Sequence, residues 1–179
     1  MFWILLGLGL ILLLAGFAVR HWGHRAQAQT GLPVGEVVYS DTGAWQAVEK
    51  PLISRRYGLV GKPDYLVRVQ AAGGALLVPV EVKSRTQPAV TPAGHLLQLA
   101  AYCLLVEETQ KARPPYGLLH YADATLQIPY TDALRQAALD AAQAIRQARH
   151  AADVHRSHDD PARCRGCGYR HACDEALAE

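Results

Sequence analysis

Two short motifs carry the residue types that can together hydrolyse a phosphate ester. Gly61-Lys62-Pro63-Asp64 supplies one carboxylate, and Glu81-Val82-Lys83 supplies a second carboxylate with an ammonium beside it. Side chains two apart on a strand share a face, so Glu81 and Lys83 are neighbours if the segment is extended. An Asp64 that begins the preceding antiparallel strand brings its carboxylate to Glu81 at one end of the sheet. Two such carboxylates hold Mg²⁺ or Mn²⁺, hard ions that prefer oxygen ligands and keep bound waters. Lys83 then orients a water attacking a phosphodiester, or helps deprotonate it, which is metal-assisted hydrolysis. Taken singly, each motif also fits an exposed Asp turn or a surface Glu–Lys pair. The hairpin that joins them is what makes a site.

Two further groups carry chemistry. Gln98 and Tyr102 lie four apart on an apolar helix and share a face, where they support the metal site, touch a nucleic-acid backbone, or mark a core boundary. His95 and Cys103 lie on neighbouring faces, and Cys103 reads as core packing. Near the C-terminus, Cys164, Cys167 and Cys173 form a C-x₂-C-x₅-C run within a polar, Gly-rich cysteine cluster at 162–175. Thiolates at this spacing suit an iron–sulfur cluster or, as the alternative, Zn²⁺. A fourth ligand would come from outside the run, and the imidazole of His171 or His158 suits zinc better than iron–sulfur.

These residues need elements to place them. Residues 36–40, 65–69 and 75–83 read as strands, with Ala72-Gly73-Gly74 as a tight turn between the last two. Residues 95–108 have the apolar density of a largely buried helix. Residues 116–121 and 125–130 form a hairpin around Asp123. Thr131 then caps a helix running to about Ala152, with Leu134, Ala138, Ala141 and Ile145 on one stripe.

Of the 179 residues, 50% are hydrophobic and 19% charged, which excludes a disordered, collagen-like or disulfide-dense chain. The 18 Lys and Arg nearly balance the 16 Asp and Glu, for a net +2, so bulk charge makes no case for nucleic acid and only local patches can. Met1–Val19 has no charged residue and, as a helix, would span nearly ~30 Å, the thickness of a bilayer core. The expectation is a transmembrane anchor at 1–22, a linker at 23–35 and one domain at 36–179. Arg20 and Arg25 follow the apolar segment, so the positive-inside rule predicts a single-pass cell-membrane protein with its domain cytoplasmic.

GKPD, EVK, the Gln-x₃-Tyr helix and the terminal three-cysteine cluster, in this order, resemble the PD-(D/E)XK nucleases of the RecB type. More narrowly, they resemble the CRISPR-associated RecB-like exonucleases that carry an iron–sulfur cluster. The resemblance covers residues 36–175 and implies an α/β restriction-endonuclease-like core, a mixed β-sheet flanked by helices, behind the N-terminal helix. It implies a metal-dependent nuclease acting on DNA that is single-stranded or has free ends. By matching, Asp64 and Glu81 become metal ligands, Lys83 the catalytic lysine, and Gln98 and Tyr102 the fourth motif. Cys164, Cys167 and Cys173 become cluster ligands. That family's fourth cysteine and its N-terminal histidine ligand have no counterpart here. The competing reading is a DNA-binding or assembly module that keeps the nuclease fold without turnover.

Overall fold

The computed structural model describes residues 7, 9, 13–17, 36–38, 45–71 and 74–177. They belong to two compact units, Met1–Ala142 and Gln143–Glu179.

The first unit is built on a six-stranded sheet. In chain order its strands are β1 (Glu36–Val38), β2 (Trp45–Ala47), β5 (Tyr65–Ala71), β6 (Gly74–Lys83), β7 (Tyr116–Tyr121) and β8 (Thr125–Pro129). A separate two-stranded hairpin is formed by β3 (Leu52–Ser54) and β4 (Leu59–Gly61). The large sheet runs β1-β8-β7-β6-β5-β2, and only β6 and β7 pair in parallel. A parallel pair needs a crossover, and helix α1 (Ala93–Gln110) provides it.

Strand alternation divides the core. Val78, Val80 and Leu118 turn to one face, where Trp45, Tyr65 and Val67 pack on them. Leu119, Tyr121, Leu126 and Ile128 turn to the other, where they meet Leu96, Leu99, Cys103 and Leu104 of α1. Helix α2 (Asp132–Ala148) adds Leu134 and Ala138 to that cluster. On β6 the same alternation sends Glu81 and Lys83 to the helix-bearing face, because Val78 and Val80 take the opposite one. The sheet thus aims both groups at α1.

The cap expected at Thr131 is present: its Oγ1 accepts the Leu134 N–H at 3.2 Å. The stripe differs from expectation. Leu134, Ala138 and Ala142 are buried, at a spacing of four, while Ile145 is 62% exposed and the helix stops at Ala148. Cys103 is buried in the core, as its apolar surroundings predict.

The membrane anchor expected at 1–22, and with it the single-pass cytoplasmic-facing localisation, is corrected. Among the described residues no helix is long and apolar enough to cross a membrane. Of that segment, residues 7, 9 and 13–17 are described. The other residues of that segment and the linker at 23–35 lie outside the described residues.

The second unit is held mainly by polar contacts. Helix α3 (Pro161–Arg165) is capped by Asp160, whose carboxylate accepts the Ala162 N–H at 2.8 Å. Glu175 accepts the Arg156 N–H at 2.6 Å and pairs with His155 Nδ1 at 2.9 Å. Arg156 also binds Asp159 and the His158 carbonyl. Cys164 is the one buried hydrophobic residue described in this unit.

Candidate active site

Asp64 sits immediately before β5, after the buried Pro63. The first rung of the β5–β6 ladder pairs Tyr65 with Val80, so the register sets Asp64 opposite Glu81. Asp64 Oδ2 accepts the Val82 N–H at 2.8 Å, which fixes the carboxylate against the neighbouring strand. The structure thus places the Asp64 carboxylate beside the Glu81 carboxyl across the hairpin.

Glu81 and Lys83 complete one side. Lys83 Nζ donates to Glu81 Oε1 at 2.7 Å and to Gln98 Oε1 at 2.8 Å. From α1, Gln98 Nε2 donates to the same Glu81 Oε1 at 2.7 Å and to Tyr102 Oη at 3.1 Å. Gln98 and Tyr102 reach the site together because residues four apart on a helix share a face. All five residues singled out from the sequence, Asp64, Glu81, Lys83, Gln98 and Tyr102, are therefore brought together.

The electrostatics follow from burial and from the paired acids. Glu81 is 6% exposed, and burial is the main reason its carboxyl is held above the usual range. The Lys83 hydrogen bond pulls it back, and the nearby Asp64 carboxylate pushes it up again. Tyr102 is raised, first by burial, so its phenol stays protonated at neutral pH. His95 is lowered, by burial first and then by Lys83 and Arg85, and its Nδ1 lies 2.8 Å from Tyr121 Oη.

This donor set fits a hard divalent ion. It offers carboxylate oxygens only, and the two acids raise each other's energy when both are ionised. A bound Mg²⁺ or Mn²⁺ relieves that crowding, and Mg²⁺ commonly uses one or two carboxylates with waters filling the remaining positions.

The cysteines behave differently. Cys164 is buried in α3, whereas Cys167 and Cys173 are exposed, and all are free. Among the described residues no group of three or more His, Cys, Asp or Glu is placed to hold a metal. The expected iron–sulfur or zinc centre is thus not assembled. Separate turns take up the spacing: Cys167 N–H closes on Cys164 O, and Cys173 N–H on Arg170 O. His158 Nδ1 accepts the Asp160 N–H at 3.3 Å.

Sequence reasoning missed two neighbours of the site. The His95–Tyr121 pair depends on the parallel register that sets Tyr121 beside Lys83, and no local pattern encodes that register. The β3–β4 hairpin was also missed, although Gly58 (φ +60°) in its turn was a usable signal. This hairpin lies close over the site's helix: a Cβ added at Gly61 would sit 2.9 Å from Tyr102 Cε1 and 2.8 Å from Leu105 Cδ1.

The sequence model of the PD-(D/E)XK nuclease superfamily matches residues 13–174. No curated protein matches the chain.

Proposed function

Because the chain belongs to the PD-(D/E)XK nuclease superfamily, we propose that it is a metal-dependent deoxyribonuclease of the RecB-like type, acting from free DNA ends. The observation that carries this reading is the Lys83 ammonium held between Glu81 and Gln98, beside the Asp64–Glu81 acid pair. Asp64 and Glu81 would hold Mg²⁺ or Mn²⁺. When bound, such an ion supplies Lewis acidity and lowers the pKa of a coordinated water. Lys83 Nζ, fixed by two acceptors, would orient the attacking water or donate to a phosphate oxygen as charge develops there. Gln98 keeps Lys83 and Glu81 in register, and Tyr102 in turn accepts from Gln98. The end-directed mode rests on the resemblance to RecB-type nucleases alone.

End-labelled linear DNA and closed circular single-stranded DNA, each with Mg²⁺ and with a chelator, test the proposal. Linear DNA should be shortened only with metal, and the circle should survive. Asp64→Asn and Glu81→Gln should each weaken Mn²⁺ binding and abolish cleavage. Lys83→Ala should keep Mn²⁺ affinity and lower turnover by about 100-fold or more, the scale of losing one electrostatic stabiliser of a transition state. Cleavage surviving in Asp64→Asn/Glu81→Gln would reject the site. Wild type that binds DNA without cutting it would leave the non-catalytic module as the better account.

A further inference from the structure

The segment from Lys50 to Pro63, KPLISRRYGLVGKP, holds Lys50, Arg55, Arg56 and Lys62 and no acidic residue, in a chain whose whole net charge is +2. All four cations are exposed, and none forms an ion pair among the described residues. Arg56 instead stacks over the Tyr57 ring at 5.1 Å. The acids near Arg56 are already engaged: Glu107 accepts from Arg135 and Tyr130, and Glu108 from Lys111.

The same segment folds as the β3–β4 hairpin, and its two faces differ. Inward, Leu59 packs on the core and Ser54 is buried, with its Oγ accepting the Tyr57 N–H at 3.2 Å. Outward, Ile53 and Val60 sit directly across from one another, 56% and 67% exposed. As a cross-strand pair they support the hairpin by at most about 1 kcal/mol, yet they stand in water on a segment that also carries four exposed cations. From Val60 the chain reaches Asp64 in four residues, at most about 14 Å when extended.

We infer that the β3–β4 hairpin is the strand-holding element of this nuclease. Arg55 and Arg56, flanked by Lys50 and Lys62, contact phosphates of an unpaired DNA strand. Ile53 and Val60 lie against its base faces, and its next phosphodiester enters at Asp64 and Glu81. The inference rests on the nuclease reading above. Charge complementarity selects a polyanion, and the apolar pair selects a single strand, because a duplex hides its base faces within the stack.

Fluorescence anisotropy of a labelled single-stranded oligonucleotide and of its duplex, in chelator so that nothing is cut, provides the test with the full chain. Arg55→Ala/Arg56→Ala should weaken single-strand binding about 10-fold near 0.1 M salt. It should also flatten the slope of log affinity against log salt by about 1.4, two phosphate contacts' worth. Arg55→Lys/Arg56→Lys should restore most of both. Ile53→Ser/Val60→Ser should weaken single-strand binding more than duplex binding. Unchanged Mn²⁺ binding in these variants shows the acid pair intact. Wild-type affinity and salt slope in the double alanine variant would overturn the inference, as would an Ile53→Ser/Val60→Ser change that dissociates a dimer and leaves DNA affinity alone. Wild type that neither binds nor cuts DNA would instead defeat the nuclease reading itself.

Discussion

Glu81 is where the site's opposing forces meet. Its carboxylate takes donors from Lys83 and Gln98 on one oxygen, yet burial and the Asp64 charge hold its proton affinity above the usual carboxylate range. In this window the folded state binds a proton that the unfolded state has already lost. Stability must therefore fall as pH rises from the ordinary carboxylate range through the raised value. Denaturant midpoints measured across that window should decline in wild type relative to Glu81→Gln, and parallel curves would refute the shift. Mn²⁺ has to displace the same proton, so its affinity should rise over the same window. At this scale the sequence was informative wherever one element's period decides proximity, as for Glu81 with Lys83 or Gln98 with Tyr102. It was silent on His95 with Tyr121, whose approach is set only once β6 and β7 are in register.

Element by element, legibility followed length. β5, β6, β7, β8, α1 and the start of α2 were readable because apolar periodicity persists over five residues or more. β2, β3 and β4 have three residues each, too few for a period, and tertiary packing decides them; β1, equally short, is the exception, legible within the run 36–40. Close approach between elements was likewise hidden. Gly117 on β7 lies under α1, and an added Cβ would fall 2.7 Å from Leu99 Cγ, a side chain 1% exposed with nowhere to move. Gly117→Ala should cost about 1–3 kcal/mol by overpacking. That corresponds to a fall of roughly 3–10 °C in melting midpoint for a unit of this size. Gly94, in the first turn of α1 with nothing within 4 Å, is the control. Gly94→Ala should be neutral or slightly stabilising, since alanine favours the helix. Equal effects of the two substitutions in differential scanning calorimetry would contradict the packing argument.

Taken whole, the molecule divides unequally. Apart from Cys164, every buried hydrophobic residue described belongs to the first unit. The second is tied by exposed contacts around Glu175, whose carboxyl the Arg156 N–H and His155 hold below its usual range. Exposed hydrogen bonds and ion pairs of this kind contribute little each, and unsupported backbone opens readily. Amide hydrogens over residues 161–173 should therefore exchange orders of magnitude faster than those of Leu96–Val106. Comparable protection would mean that a metal or partner clamps the cysteine turns after all. The C-terminal spacing promised a cluster because sequence distance was all it specified. Burying one thiol and exposing two is a three-dimensional outcome that spacing does not encode.

The strand order also governs how this chain meets its neighbours in a concentrated solution. The outermost strands, β1 and β2, are three residues each, whereas β6, the longest at ten residues, has partners on both sides. Beyond Val67, where its pairing with β2 ends, β5 carries the exposed Arg68 and Gln70. On that stretch of β5 an exposed arginine repels a like-charged copy and so discourages strand addition. The longest ladder, by contrast, is enclosed by neighbours on both sides.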